Sequence, residues 1–289
     1  MNIQLIVSQV ENLFSLPEVV MRVNEALNSF DPSNQELEEI IVCDPAFTAN
    51  ILKIVNSAYF GLPKSVDSIS QAINFIGINA LRNLAISSSV TTAFKGVPAE
   101  LVDMDVFWYH SVTSAVLAKV LAKELKQTDV ERLFIAGLLL SIGKLIYFTQ
   151  CPEIASEILR LKDQGDRAMV VAEEEKLGFN YADLGAAFLK QWKLPANIWQ
   201  LVAYHLDPLN AKNFVKDACI LHVAGKLANS IEPCAKHDFD FNEIEPNIDP
   251  EVLKYFKLTP EVIESSLDTS LLQVFDILSI INPKASTIY

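Results

Sequence analysis

Glycine is scarce and unclustered: nine residues in 289, none arranged as G-x-G-x-x-G or G-x-x-x-x-G-K-[ST]. That excludes the glycine-rich phosphate loops, whose backbone amides must converge ahead of a helix. Four cysteines, Cys43, Cys151, Cys219 and Cys234, are scattered without a C-x-x-C pair, so neither a disulfide framework nor a thiolate zinc site is indicated. Basic residues are outnumbered, 23 Lys and Arg against 36 Asp and Glu, for a formal net charge of -13. The acidic excess runs along the whole chain, and no basic lobe is left to coat nucleic acid. The opening MNIQLIVSQVEN has neither the basic start nor the small-residue cleavage site of a signal peptide. No uncharged apolar run reaches the ~18 residues of a membrane span. The most apolar stretch, Leu133 to Leu145, is closed by Gly143 and Lys144. These absences predict a cytoplasmic protein of a reducing compartment, with neither nucleic-acid nor membrane partners.

What is present is apolar and helical. At 51% hydrophobic and 20% charged the chain can bury a full core. Nearly every segment repeats its apolar residues at helical spacing and clean alternation is almost missing, so the fold class is all-α. Val19, Val20, Val23, Ala26, Leu27 and Phe30 form one stripe, ended by Asp31-Pro32. Caps are expected at Ser33, Asp44 (before Pro45), Ser68 and Asn79, giving five short helices in the first hundred residues. Lys95-Gly96-Val97-Pro98 is the best internal boundary. Beyond it the periodicity predicts helices over 103–125, 129–148, 152–163, 166–177, 181–192, 195–206 and 213–230. A polar, proline-bearing loop or lid follows over 232–250, then helices near 250–257 and 260–281, the last with Val262, Leu267, Leu271, Leu272, Phe275 and Leu278 as apolar face.

Residues able to do chemistry are few. Leu139-Leu140-Ser141-Ile142-Gly143 has the serine of a hydrolase elbow but not its first glycine. Ser87-Ser88-Ser89 lies in a helical pattern, where hydroxyls bond back to the helix or face water. Four histidines, His110, His205, His222 and His237, are the main candidate metal ligands. Cys219 and His222 share a helix face, but their neighbours Ile220, Leu221 and Val223 favour packing over ligation. His237-Asp238 is the only His-Asp dipeptide and falls in the polar 232–250 stretch.

Read in order, several short motifs resemble one family. They are Leu16-Pro17-Glu18-Val19, Asp44-Pro45-Ala46-Phe47-Thr48, Asn56-Ser57-Ala58-Tyr59-Phe60-Gly61 and Ile69-Ser70-Gln71-Ala72-Ile73 with Ile76-Gly77. Trp108-Tyr109-His110-Ser111, the run from Ala136 to Leu145, and Trp192-Lys193-Leu194-Pro195 continue the series. Together they resemble the HDOD family, the HD-related output domains. The resemblance covers about residues 10–230 and implies a short-helix bundle over 1–97 and an HD-like helical bundle over 98–230, here followed by a carboxy-terminal loop and helical extension over 231–289.

The parent HD superfamily, as the resemblance implies, hydrolyses phosphoesters with metal ions held by helix-borne histidines and aspartates. Such ions acidify a water and neutralise phosphoryl oxygens. Carried over by position, the family's ligand sites fall at His110, Leu140, Ser141, Tyr181, His205, Leu206 and Gly225, and only His110 and His205 keep a ligand type. Asp183, Asp207 and Glu175 are conceivable substitutes, and Tyr181 a conceivable oxygen ligand. Leucine and glycine offer a cation nothing to replace its water. The expectation is therefore no catalytic residue, no metal and no cofactor, with His110 and His205 hydrogen-bonded inside a vestigial pocket. Lys144, beside the lost His-Asp pair, is either a solvated lysine or an anion contact.

HDOD proteins, by the same resemblance, are bacterial signalling modules. The leading expectation is a non-catalytic regulator that binds signalling proteins, with Asp44, Asn56 and Ser57 at turns that either shape an interaction surface or merely cap and pack. A metal-dependent phosphohydrolase or phosphodiesterase with an irregular site is the alternative. A pocket that retains a nucleotide or another anion without cleaving it is a third.

Overall fold

The computed structural model describes residues 1–10, 17–28, 33–57, 59–94, 97–127, 130–231, 247–256 and 258–281. Among them there are helices and turns and no strand, as the periodicity predicts. The amino-terminal helices are α1 (Ile3–Val10), α2 (Glu18–Leu27), α3 (Asn34–Val42), α4 (Pro45–Val55), α5 (Ile69–Ile76) and α6 (Ile78–Ala93). Ser33, Asp44 and Ser68 cap as expected, their side chains accepting from the amides of Glu36, Phe47 and Gln71. Asn79 does not cap: Gly77, at φ +83°, makes the turn between α5 and α6 alone, and α6 has already begun at Ile78. One helix, α1, lies before the five expected.

The second group comprises α7 (Met104–Glu124), α8 (Glu131–Leu138), α9 (Ile142–Gln150), α10 (Pro152–Leu159), α11 (Asp166–Leu177), α12 (Tyr181–Gln191), α13 (Ala196–Tyr204) and α14 (Val215–Ser230). The chain closes with α15 (Pro250–Phe256) and α16 (Pro260–Ile281). Helix α7 is the axis of the core and packs on α8, α14 and α16. Two glycines allow helices to touch backbone to backbone. A Cβ on Gly137 of α8 would sit 2.7 Å from Ala115 Cα of α7, and one on Gly143 of α9 would overlap the Tyr181 carbonyl of α12.

The single helix expected over 129–148 is two. It breaks at Leu139–Ser141, where Leu140 and Ile142 make one-turn bonds to Gly137 and Leu139. That break turns Leu140 and Ser141 towards the interior cavity. The whole stretch Glu131–Gln150 is long and apolar enough to cross a membrane, with mean hydropathy 1.6, but 78% of its most apolar window is buried inside this fold.

The two helical groups are clipped together through family motifs. Tyr59 and Phe60 reach α7, where the buried Lys119 ammonium stands 3.6 Å from the Tyr59 ring centroid and pairs with Glu131 at 2.7 Å. Lys193, with φ +56°, offers its carbonyl to Asn24, which also accepts from Arg82. Helix α16 is part of the core as well: it lies along α7 and touches α4 and α6. Its buried face is not quite the one expected. Leu267 and Leu278 are buried, but so are Ile263, Ser266, Ser270, Val274 and Ile277, while Leu271 and Phe275 are exposed. Two small serines let α16 approach closely, their hydroxyls returned to the carbonyls of Val262 and Ser266. The expected loop, with Cys234 and His237-Asp238, lies largely outside the described residues.

Candidate functional site

A cavity of about 100 Å³ lies among α7, α9, α11, α12, α13 and α14. All eight residues assigned to the vestigial pocket line it: His110, Leu140, Ser141, Lys144, Tyr181, His205, Leu206 and Gly225. Positions up to 115 residues apart in sequence therefore meet at one place.

Each of its three histidines donates a proton from Nδ1 to a backbone carbonyl, which fixes the neutral tautomer. His110 reaches Ala228 O at 2.8 Å, His205 reaches Val202 O at 2.7 Å, and His222 reaches His205 O at 2.8 Å. The second nitrogen differs. His205 Nε2 accepts from the Tyr181 hydroxyl at 2.9 Å, and His222 Nε2 accepts from the Asp249 amide at 3.1 Å. His110 Nε2 alone has no partner among the described residues. Burial lowers all three imidazoles below their usual range, His205 to about 3. His110 and His205 thus share the cavity as expected, but each bonds elsewhere instead of to the other.

A metal centre does not fit this arrangement. Two of the three imidazoles have both nitrogens committed, and Tyr181 spends its hydroxyl on His205. Leu140 fills the room that Gly225 leaves: a Cβ on Gly225 would come within 2.7 Å of Leu140 Cδ2. The hydrocarbon and the missing side chain are complementary, so the space between these two residues is packed. No group of three or more His, Cys, Asp or Glu side chains is placed to hold an ion among the described residues.

The substitute carboxylates considered from sequence lie elsewhere. Asp183 belongs to the capping box of α12, Asp207 holds Asn210, and Glu175 is exposed. The carboxylate at the cavity is Asp166, the first residue of α11, bonded to Asn229 at 3.1 Å and to Lys226 at 3.5 Å. Burial works against its ionisation, but Lys144, Lys226 and Asn229 prevail and hold the carboxyl below its usual range. Lys144 stands 4.5 Å from the Tyr181 ring centroid and makes no ion pair among the described residues. Behind this wall the buried Glu173 accepts from Tyr147 and the Tyr181 amide, and desolvation raises its carboxyl.

Sequence reasoning missed Asp166, Lys226, Asn229, Ser111 and Ser114, and took His222 for packing. The signal was there in two helices. Phe107, His110, Ser111 and Ser114 on α7, and His222, Gly225, Lys226 and Asn229 on α14, each follow the i, i+3, i+4, i+7 spacing of one face. Polar residues on that spacing inside otherwise apolar helices mark a polar interior seam. Cys219 does not join it: it is buried, and desolvation pushes its thiol up to about 11.

The turns singled out as interaction candidates are internally satisfied. Asp44 caps α4, Asn56 bonds both the amide and the carbonyl of Val66, and Ser57 donates to Ile54 O.

The model of the HDOD domain matches residues 13–208. A crystal structure of an HDOD domain protein with unknown function from Geobacter sulfurreducens aligns at TM-score 0.70 and 21% identity, covering 97% of each chain. A Shewanella amazonensis SB2B protein, provisionally named a phosphohydrolase, aligns at TM-score 0.73 and 24% identity over 96% of this chain and 97% of its own. At these identities the likeness is one of fold. An uncharacterized protein of Treponema pallidum (strain Nichols) is 24% identical over 201 residues, 69% of this chain. The matched region spans about two fifths (39%) of that relative's length.

Proposed function

Because the chain belongs to the HDOD family, we propose that it is a non-catalytic regulatory module of bacterial signalling, working in the cytoplasm by binding other proteins. One observation supports this reading: Leu140 is packed into the room beside Gly225, and both stand at positions where the family resemblance puts metal ligands. Without a metal the cavity has no means of acidifying a water for attack on a phosphoester. The amino-terminal helices are the proposed recognition surface. Asp44, Asn56 and Ser57 shape it by their internal bonds, and Met21, Val42 and Phe75 stand exposed on α2, α3 and α5.

Two assays on one preparation test the proposal. The purified protein is expected to show no phosphomonoester or phosphodiester turnover above buffer with manganese added. In pull-downs from the native bacterium it should retain a signalling protein that Val42→Glu or Phe75→Glu releases. Turnover that disappears in His110→Ala would replace this reading with the metal-dependent hydrolase.

A further inference from the structure

We infer that an open groove on the outer side of α11 docks a basic, amphipathic peptide segment of a partner protein, its lysines or arginines on the rim and its apolar side chains on the floor. This surface is a second one, apart from the exposed residues of α2, α3 and α5.

The groove has a volume of about 810 Å³ and is walled by α11, the start of α12, the end of α13, α14 and the turn into α15. It shares only Leu206, His222 and Lys226 with the interior cavity. Part of the lining is hydrocarbon, from Val170 and Val171 on α11, Ala203 on α13 and Ile248 ahead of α15. Ile248 is buried, but Val171 is 45% exposed, a large apolar side chain left open within a concave surface. Apolar area of that kind, rimmed by polar groups, is what a docking segment covers.

The rim carries charge of one sign. Glu174, Asp183, Asp207 and Asp249 line the groove, and none is in an ion pair among the described residues. Each is held by a neutral donor instead. Glu174 accepts from Asn180 Nδ2 at 3.0 Å and Asp183 from the Asn180 amide at 3.2 Å. Asp207 accepts from Asn210 Nδ2 at 2.6 Å and Asp249 from the Glu251 amide at 2.9 Å. Arg167 offsets one of the four carboxylates, and Lys226 is already matched by Asp166 at 3.5 Å, so three negative charges stay uncompensated. Carboxylates fixed beforehand need little reordering when a cation arrives.

That sign selects the occupant. Nucleic acids and other polyanions are repelled. A second copy brings a net charge of -13. The chain's own 232–246 stretch sets Glu232, Asp238, Asp240, Glu243 and Glu245 against Lys236. A foreign segment with Lys or Arg on one face and leucine-like side chains on the other satisfies both rim and floor.

The test is fluorescence anisotropy of a labelled Leu-Lys amphipathic peptide titrated with the full chain. Saturable binding at micromolar concentration is expected, weakening as salt is raised, while the same peptide with Glu in place of Lys stays free. Glu174→Gln combined with Asp249→Asn keeps both local acceptors and should weaken binding by about fivefold or more. Glu264→Gln combined with Asp268→Asn makes the same charge change on exposed positions of α16 and should shift binding by less than about twofold. Val171→Gln alters no charge and should weaken binding by about threefold or more. No saturable binding, an equal response to the two double variants, or indifference to Val171→Gln overturns the inference. So does direct saturable binding of a labelled 232–246 peptide, which assigns the groove to the chain's own segment, or self-association lost in Val171→Gln, which assigns it to a second copy. Failure here leaves the pull-down with the Val42 and Phe75 variants, which reads the amino-terminal surface, to be judged separately.

Discussion

Leu140 and Gly225 share one space. A Cβ on Gly225 would come within 2.7 Å of Leu140 Cδ2, which leaves little slack between them. Gly225→Ala is therefore expected to destabilise the fold by about 1–3 kcal/mol, the usual cost of overpacking a dense core. In a Leu140→Ala background the same alanine should cost less, giving a favourable coupling energy in a double-mutant cycle by urea denaturation. Strict additivity would mean that the two side chains do not compete for one space.

At the scale of the element, the sequence announced most helices because caps and periodicity are local. Helix α4 is an example: Asp44 supplies the cap and Pro45 the first turn. Asp44→Ala should cost about 1 kcal/mol of stability. If the residue acts only as a cap, a neutral capping variant, Asp44→Asn, will restore both stability and partner retention; loss of partner retention in a stable Asp44→Asn would give the carboxylate a role of its own. What was not legible is just as instructive. The break at Leu139–Ser141 has no proline or cap to announce it. It follows from a contact between Gly143 and Tyr181, whose partner lies 38 residues on. The face of α16 was mistaken for the same reason, since Ser266 and Ser270 are buried by what α7 needs and not by their own polarity. Asp166 escaped because carboxylates were sought by family position, while it arrives from the start of α11. The eight positions read from the family pattern do meet at one cavity, but Ser111, Ser114, Asp166, Lys226 and Asn229, which line it with them, were not legible from that pattern.

For the whole molecule, three imidazoles held neutral inside the core link folding to protons. Unfolded histidine titrates near ~6.5, whereas His205 in the fold takes a proton only at about 3. His110 and His222 are displaced in the same direction. Between those limits the unfolded chain binds protons that the fold refuses, so stability falls as pH drops from roughly 6.5 towards 3 and is unaffected by these groups above about 7.5. Melting temperature should decline through that window, and less steeply in His205→Gln than in the parent protein. Parallel profiles would show that the buried imidazole is not the linked group.

The most direct measurement is a calorimetric titration of chelator-treated protein with manganese, with bound metal counted by elemental analysis of the untreated preparation. With Leu140 packed against Gly225 and two imidazoles fully bonded, we expect no stoichiometric ion and no saturable heat at micromolar metal. One or two ions per chain, released by His110→Ala, would contradict it.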